Sequence, residues 1–361
     1  MSPFHNFGRN FAAAAALLAA AIAPAMSARA ETKPETGSLA TGPVAVQSAP
    51  IDAFSRTDGS ATRFGKLEFR GGLVLSVLGN KNFGGWSGLA LDANGRDFIT
   101  VSDAGAWMTG RIAYTGDRPS GIENARMGPM LSQDGQPLKR NRDRDAEAVA
   151  LLSGSVTNGT VLVAFEQNSR IARYNISSTG LSPTLSFLDK PKLARAMRRN
   201  NGLEAMTVLK SGPFKGATIA LSERFYDFAR NHSGWIWTAA GPQEFHLTNI
   251  GDFDVTDLAS LDDGTLFVLE RRFRWLEGIK MRLRRVSPSD LQPGKTADGE
   301  ILIEANLEQQ IDNMEGLAAS RGPGGETIIT MISDDNFNRF LQRTLLLQFA
   351  VKDTKTAKTR P

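Results

Sequence analysis

One unit of sequence recurs five times in this 361-residue chain, and it restricts the folds open to it. The unit starts with a short apolar stretch around an anchor residue. It passes through a Gly-containing turn and ends in a second apolar stretch closed by an acid. The clearest copy runs from Asn313-Met314-Glu315-Gly316-Leu317-Ala318, through Gly322-Pro323-Gly324-Gly325, to Asp334 and Asp335. The others begin at Trp86-Ser87-Gly88-Leu89, Ala146-Glu147-Ala148-Val149, Leu203-Glu204-Ala205-Met206 and Val255-Thr256-Asp257-Leu258. The anchors Ser87, Glu147, Glu204, Thr256 and Glu315 are 52 to 60 residues apart. The second stretches end in Asp103, Glu166, Glu223, Glu270 and Asp334. Between the stretches lie Asn94-Gly95, Asn158-Gly159 and Asp263-Gly264, which tolerate the positive φ of tight hairpin turns.

A fixed period of this length, with every unit all-β, predicts a β-propeller. Five blade repeats are visible. Residues 51–86 with the C-terminal strand leave room for a sixth, so the expectation is five or six blades. Lys66-Leu67-Glu68-Phe69 and Leu73–Val77 at one end, and Thr344–Phe349 at the other, are strands that can close the ring and leave no open edge. Gly88, Ala148, Ala205 and Gly316, each one residue after an anchor, are small enough to let inner strands crowd round an axis. The expected domain is a single propeller over 61–350. A flexible lead-in at 31–60, rich in Thr, Pro, Ser, Gly and Ala, precedes it, and a disordered tail at 351–361 follows. Two interruptions fall between repeats: a basic helix over Lys190–Arg199 and a long polar loop from Gly116 to Asp145.

Residues 1–30 read as a signal peptide. Arg9 precedes an Ala-rich run too short to span a bilayer, and Ala28-Arg29-Ala30 fits a cleavage site. The expected location is therefore periplasmic or secreted. No later stretch is long and apolar enough to serve as a stable membrane anchor. Cleavage would remove Arg9 and Arg29 from 42 basic residues and none of the 38 acids. That near balance argues against a nucleic-acid partner. With no Cys, stability must come from core burial and metal rather than disulfides. A monomer is expected.

Residues in one place in every blade point to one place around the axis, so the recurring acids predict a carboxylate ring. Asp103, Glu166, Glu223, Glu270, Asp334 and Asp335 are the expected metal ligands. Hard cations take six to eight oxygens, and Ca²⁺ suits such a set. Glu147, Glu204 and Glu315, with Arg144 and Arg224 beside the acids, are the expected catalytic set. Arg forks suit phosphate or carboxylate oxygens, which points to a small phosphorylated or ester substrate. The bland alternative is that the acids cap turns and pair with Arg. Only His232 and His246 follow the signal, neither at zinc-ligand spacing. There is no G-x-S-x-G elbow, P-loop or dinucleotide fingerprint. A non-catalytic propeller that binds a ligand or protein, and a lactonase-like propeller, remain alternatives.

The pattern resembles the exported phytase-like proteins described as having esterase-like activity of phytase. The residues that carry the resemblance are Trp86-Ser87-Gly88-Leu89-Ala90, Ser102-Asp103, Asp145-Ala146-Glu147-Ala148, Asn201-Gly202-Leu203-Glu204-Ala205-Met206, Asn313-Met314-Glu315-Gly316-Leu317 and Ser333-Asp334-Asp335-Asn336. It covers about residues 65–350. It implies export, a β-propeller and a distant likeness to calcium-dependent propeller phytases.

Overall fold

The inner strands are short and rich in small and apolar residues, and each is largely buried because it has neighbours on both sides. Trp86–Leu91 is buried at every position. This computed structural model describes residues 33–191 and 202–352. They form five sheets, antiparallel throughout except where Thr296–Ala297 pairs in parallel with Gly241–Leu247 at the outer edge of blade 3. The inner strands are Trp86–Leu91, Ala146–Ser155, Leu203–Val208, Asp254–Ser260 and Asn313–Arg321, one per blade. They touch in cyclic order, blade 1 to 2, 3, 4, 5 and back to 1, so the array is a closed five-bladed propeller. The question of five blades or six is resolved as five.

Blade 5 is the closing blade. Its strands Asn313–Arg321, Thr327–Asp334 and Thr344–Val351 come from the C-terminal end, and Leu67–Ser76 comes from the N-terminal end. Leu346 faces Leu73 and Leu347 faces Gly72 across that junction. The lead-in departs from the flexible segment expected for 31–60. Gln47–Ile51 pairs with Leu67–Ser76 and covers its outer edge, and Gly42–Pro43 pairs with the outer strand of blade 1. The backbone groups of that otherwise open edge supply the ordering that composition did not reveal. At the other end Val351 still belongs to the last strand. The expected signal peptide (1–30), residues 353–361 and most of the expected basic helix (192–199) lie outside the described residues.

Five apolar clusters fill the five seams between blades. Ile99 and Val149 meet between blades 1 and 2, and Leu162 and Met206 between 2 and 3. Leu221 and Val268 meet between 3 and 4, and Leu269 and Leu317 between 4 and 5. Leu89 and Leu346 close the cycle. The small residues after the anchors are required by crowding at the axis. A Cβ on Gly88 would lie 2.7 Å from the Val149 amide nitrogen, and one on Gly316 would lie 3.1 Å from the Gly88 carbonyl carbon.

Candidate metal centre at the channel mouth

Every inner strand carries the same irregularity at its start. In blade 1 Trp86 faces Ser102 and Gly88 faces Val101, so Ser87 is skipped. Glu147, Glu204, Thr256 and Glu315 are skipped in the same way in blades 2 to 5. These five bulges are the five anchors of the repeat. A bulge leaves its extra residue out of the ladder and re-aims its side chain. The neighbouring strand of each blade supplies a second residue beside the bulge: Asp103, Glu166, Glu223, Arg271 and Asp334; in blades 3 and 4 that strand runs on to Tyr226 and Arg274. Two tiers of side chains therefore surround one end of the axis.

Two carboxylate triads form there. Oxygens of Asp145, Glu147 and Glu166 lie within 4.8 Å of one another, and so do those of Glu166, Glu204 and Glu223. Glu166 belongs to both. Two cations reach in from outside the acid set. The Lys33 ammonium lies 3.1 Å from Asp103 and also binds Asp145. The Arg271 guanidinium donates to Glu315 and Asn313 and lies 3.4 Å from Glu223. Asn313 also donates to Glu315 at 2.8 Å. Asp103 Oδ1 is buried and accepts no hydrogen bond from the protein.

Burial and like charge act together on these acids. Burial, opposed by Lys33, pushes Asp103 up to about 7. Burial also raises Glu223 to about 7, opposed by Arg271 and Arg224. Glu147 is pushed well above the usual range by burial and then by Asp145, Glu315 and Asp103. Glu204 is likewise raised by burial, Glu147 and Glu223. Burial raises Asp334 well up, with Asp103 and Glu315 adding repulsion. Burial raises both Glu166 and Glu204, which face each other closely enough to share a proton. The ring is thus short of positive charge. Hard, convergent, oxygen-only donors with an unpartnered buried oxygen fit a hard divalent cation.

The family model described as phytase-like, esterase-like activity of phytase, matches residues 81–337. The chain belongs to this phytase-like family. No curated protein matches it. Among solved structures it is similar to the Dos1 propeller, at 13% identity over 87% of this chain and 74% of that one, with a TM-score of 0.34. It is also similar to virginiamycin B lyase from Staphylococcus aureus, at 12% identity over 85% of this chain and 99% of that one, with a TM-score of 0.38. The span matched by the phytase-like model contains every ring residue named above except Lys33.

Not every residue expected at this phytase-like site is in the ring. Glu270 is not. It faces away from the axis, where Arg284 binds it at 2.6 Å and Arg282 approaches at 3.7 Å, all three buried. Successive strand residues point to opposite faces, so the ring position in blade 4 falls to Arg271. Asp335 is tied to the backbone instead, accepting from the amides of Gly85 and Phe337. Arg144 departs from its expected role as a substrate clamp. It donates to the carbonyls of Pro34 and Lys33 and to Asn141, holding the lead-in. Arg224 is half exposed and engaged by Asp254, with Glu223 3.4 Å away. Asp145, Lys33 and Arg271 are the ring members absent from the expected ligand and catalytic sets. Asp145 was readable as the acid two before an anchor. Lys33 carried no local signal.

Below the ring the axis is closed by one side chain. Asp257 occupies the position that is Gly or Ala in the other four blades, and it is fully buried. Its carboxylate accepts from the amides of Leu258 and Leu317 at 2.8 and 2.7 Å, and the amides of Leu89 and Met206 are turned toward it as well. Burial pushes its pKa well up, and these four N–H groups oppose the rise. Beyond it a cavity of about 330 Å³ opens at the far mouth, where Leu151, Val208 and Ala259 share the walls with Lys210, Asp262 and Arg321. On the ring side a cavity of about 530 Å³ is lined by Arg271, Arg224, Arg272 and Asn313.

Proposed function

We propose that this protein is an exported, metal-dependent hydrolase of phosphoesters or other esters, acting at the acid-lined mouth of the channel. The observation that carries the reading is Glu166, whose carboxylate belongs to two adjacent oxygen triads. Such a shared carboxylate suits two neighbouring divalent ions, with Ca²⁺ the chemistry these donors favour. Asp145, Glu147 and Glu166 would hold one ion, and Glu166, Glu204 and Glu223 the other. When bound, a divalent ion would supply positive charge that polarises the ester and makes water a better nucleophile. Arg271, flanked by Glu223 and Glu315, lines the ring-side cavity and can orient an anionic substrate group there. Burial and mutual repulsion favour a proton on the Glu166–Glu204 pair in the absence of metal, and an ion bound there would displace it.

The test is thermal unfolding of the purified protein with EDTA and then with added Ca²⁺, followed by assays on phosphomonoesters, phytate and carboxylic esters. Binding to the native state raises the midpoint by mass action, about 3–4 kcal/mol at a hundred- to thousand-fold excess over Kd. A Ca²⁺-dependent rise, with hydrolysis abolished by Glu166→Gln, supports the reading. No shift with any divalent ion defeats it. A non-catalytic binding propeller is the second reading, favoured by one observation: Arg144, Arg224 and Arg272 are all engaged within the protein. Metal binding without turnover on any of these substrates would select it.

A further inference from the structure

The face that carries the ring also carries a set of exposed apolar loop tips. Residues 227–231 follow the strand of Glu223, 275–277 follow the strand of Arg271, and 335–343 follow the strand of Asp334. Residues 77–85 lead into Trp86–Leu91, and Gly85 in that loop accepts from the Asp103 amide. Arg339 donates to the carbonyls of Asn80 and Phe83, joining two of the loops. The tips are Leu78, Phe228, Trp275, Leu276, Phe340 and Leu341, and all are exposed. Phe228, Leu276 and Phe340 are more than nine-tenths exposed. Large side chains left in water this fully are costly unless something covers them.

Each tip has a cation beside it: Lys81 near Leu78, Arg230 near Phe228, Arg274 before Trp275, Arg339 before Phe340. Among the described residues Arg230 and Arg339 form no ion pair with a carboxylate. Arg230 lies over the Tyr226 ring at 4.9 Å, and Arg339 is bound to backbone oxygens. At the third tip two carboxylates, Glu277 and Asp252, face three cations, Arg272, Arg274 and Lys280, which leaves the loop positive by one charge. Separate apolar tips flanked by cations differ from the continuous flat patch that a protein partner would cover. They suit insertion below a layer of phosphate headgroups, with the cations held at headgroup level.

We propose that the channel-mouth face docks on an anionic phospholipid surface through these tips. The docking is peripheral, since no helix among the described residues is long and apolar enough to cross a membrane. It would set the acid mouth against the lipid surface. The proposal does not rest on hydrolysis, because it is read without turnover.

The test is co-sedimentation with phosphatidylcholine vesicles, with and without phosphatidylglycerol, while recording tryptophan emission. Binding to the phosphatidylglycerol vesicles with a blue shift is expected. The pairs Trp275→Ser with Leu276→Ser, and Phe340→Ser with Leu341→Ser, should each weaken partitioning at least about tenfold. Phe187→Ser, at an exposed position on the outer edge of blade 2, should leave it unchanged. These tips are exposed, so unaltered melting midpoints will confirm that the variants fold. Failure to bind either vesicle overturns the proposal. Binding that the tip substitutions do not weaken also overturns it, as does self-association through the tips in sedimentation without lipid.

Discussion

The Lys33 ammonium lies 3.1 Å from the Asp103 carboxylate and also binds Asp145, so the chain places a cation of its own among the ring acids. Lys33 is held there because Thr36 donates to the Ala104 carbonyl and Arg144 to the Pro34 carbonyl. An incoming divalent ion must displace or tolerate that charge. Lys33→Met should therefore tighten Ca²⁺ binding by at least about tenfold, measured by titration calorimetry. It should also lower the melting midpoint in EDTA, since buried acids lose their partner. Unchanged or weaker Ca²⁺ binding would show that Lys33 does not compete for the site.

Glu166 sits in both triads, whereas Asp335 is bound by backbone amides outside them. Glu166→Gln should weaken Ca²⁺ binding by about 10²-fold and remove most of the Ca²⁺-induced rise in midpoint. In EDTA the same variant should melt no lower than the parent, because it relieves repulsion with Asp145 while its amide can still donate to Glu204. Asp335→Asn should keep the Ca²⁺ response. Equal responses from the two variants would remove Glu166 from the metal site.

The blades and the anchors were legible because bulges recur at one place in a repeated strand, and a repeated residue type betrays them. Glu147, Glu204 and Glu315 were read correctly as axis-facing for that reason. Blade 4 broke the pattern. Its acid Glu270 lies next to Arg271, and only the strand register says which of two consecutive residues faces the axis. A slip of one residue exchanges the faces. Lys33 was illegible for another reason. Its place is set by contacts between the lead-in and blade 1 and blade 2 residues over 70 positions away in sequence. Local composition holds no trace of such contacts.

Asp103 and Glu223 each have a folded-state pKa near 7, raised first by burial. Unfolded carboxyls titrate near 4. Between about pH 4 and 7 the folded chain therefore binds more protons than the unfolded one, so stability must fall as pH rises through that window. In EDTA the midpoint should climb several degrees on going from about pH 8 to about pH 5, the two groups together contributing on the order of a few kcal/mol. Saturating Ca²⁺ should flatten or reverse the trend, because the ion requires ionised carboxylates. A metal-free profile that is flat, or that rises with pH, would contradict the ring electrostatics.

Glu270 offers a control with the same chemistry and a different location. It is fully buried against Arg284, and neither residue touches the triads. Breaking a buried pair leaves an uncompensated charge, so Arg284→Met should cost about 3–5 kcal/mol in urea unfolding. Glu270→Gln should cost less, because the amide oxygen can still accept from Arg284. Metal affinity should be unchanged in both variants when measured on the folded protein. A Glu270 variant that weakens Ca²⁺ binding while remaining folded would return this residue to the ring.

Asp257 supplies the last prediction, and it concerns how five separate sheets are held round one axis. Its carboxylate accepts the amides of Leu258 in blade 4 and Leu317 in blade 5, and those of Leu89 in blade 1 and Met206 in blade 3 are turned toward it. Four of the five inner strands thus converge on one carboxylate, at a point where Gly and Ala leave space for nothing larger. Asp257→Ala would take the acceptor away from those amides, and each buried orphan costs about 1–3 kcal/mol. Partial relaxation and water entry reduce the sum, so a loss of about 4–6 kcal/mol is expected, with the melting transition broadened as the blades lose a common tie. Asp257→Asn keeps the shape and one acceptor oxygen but turns an N–H₂ toward the same amides. It should lose about 2–4 kcal/mol. Both losses should appear in urea unfolding in EDTA and in Ca²⁺ alike, because Asp257 lies below the ring and in neither triad. A neutral Asp257→Asn would show that the axis tolerates a donor, and the four strands would then have to be held by their apolar seams alone.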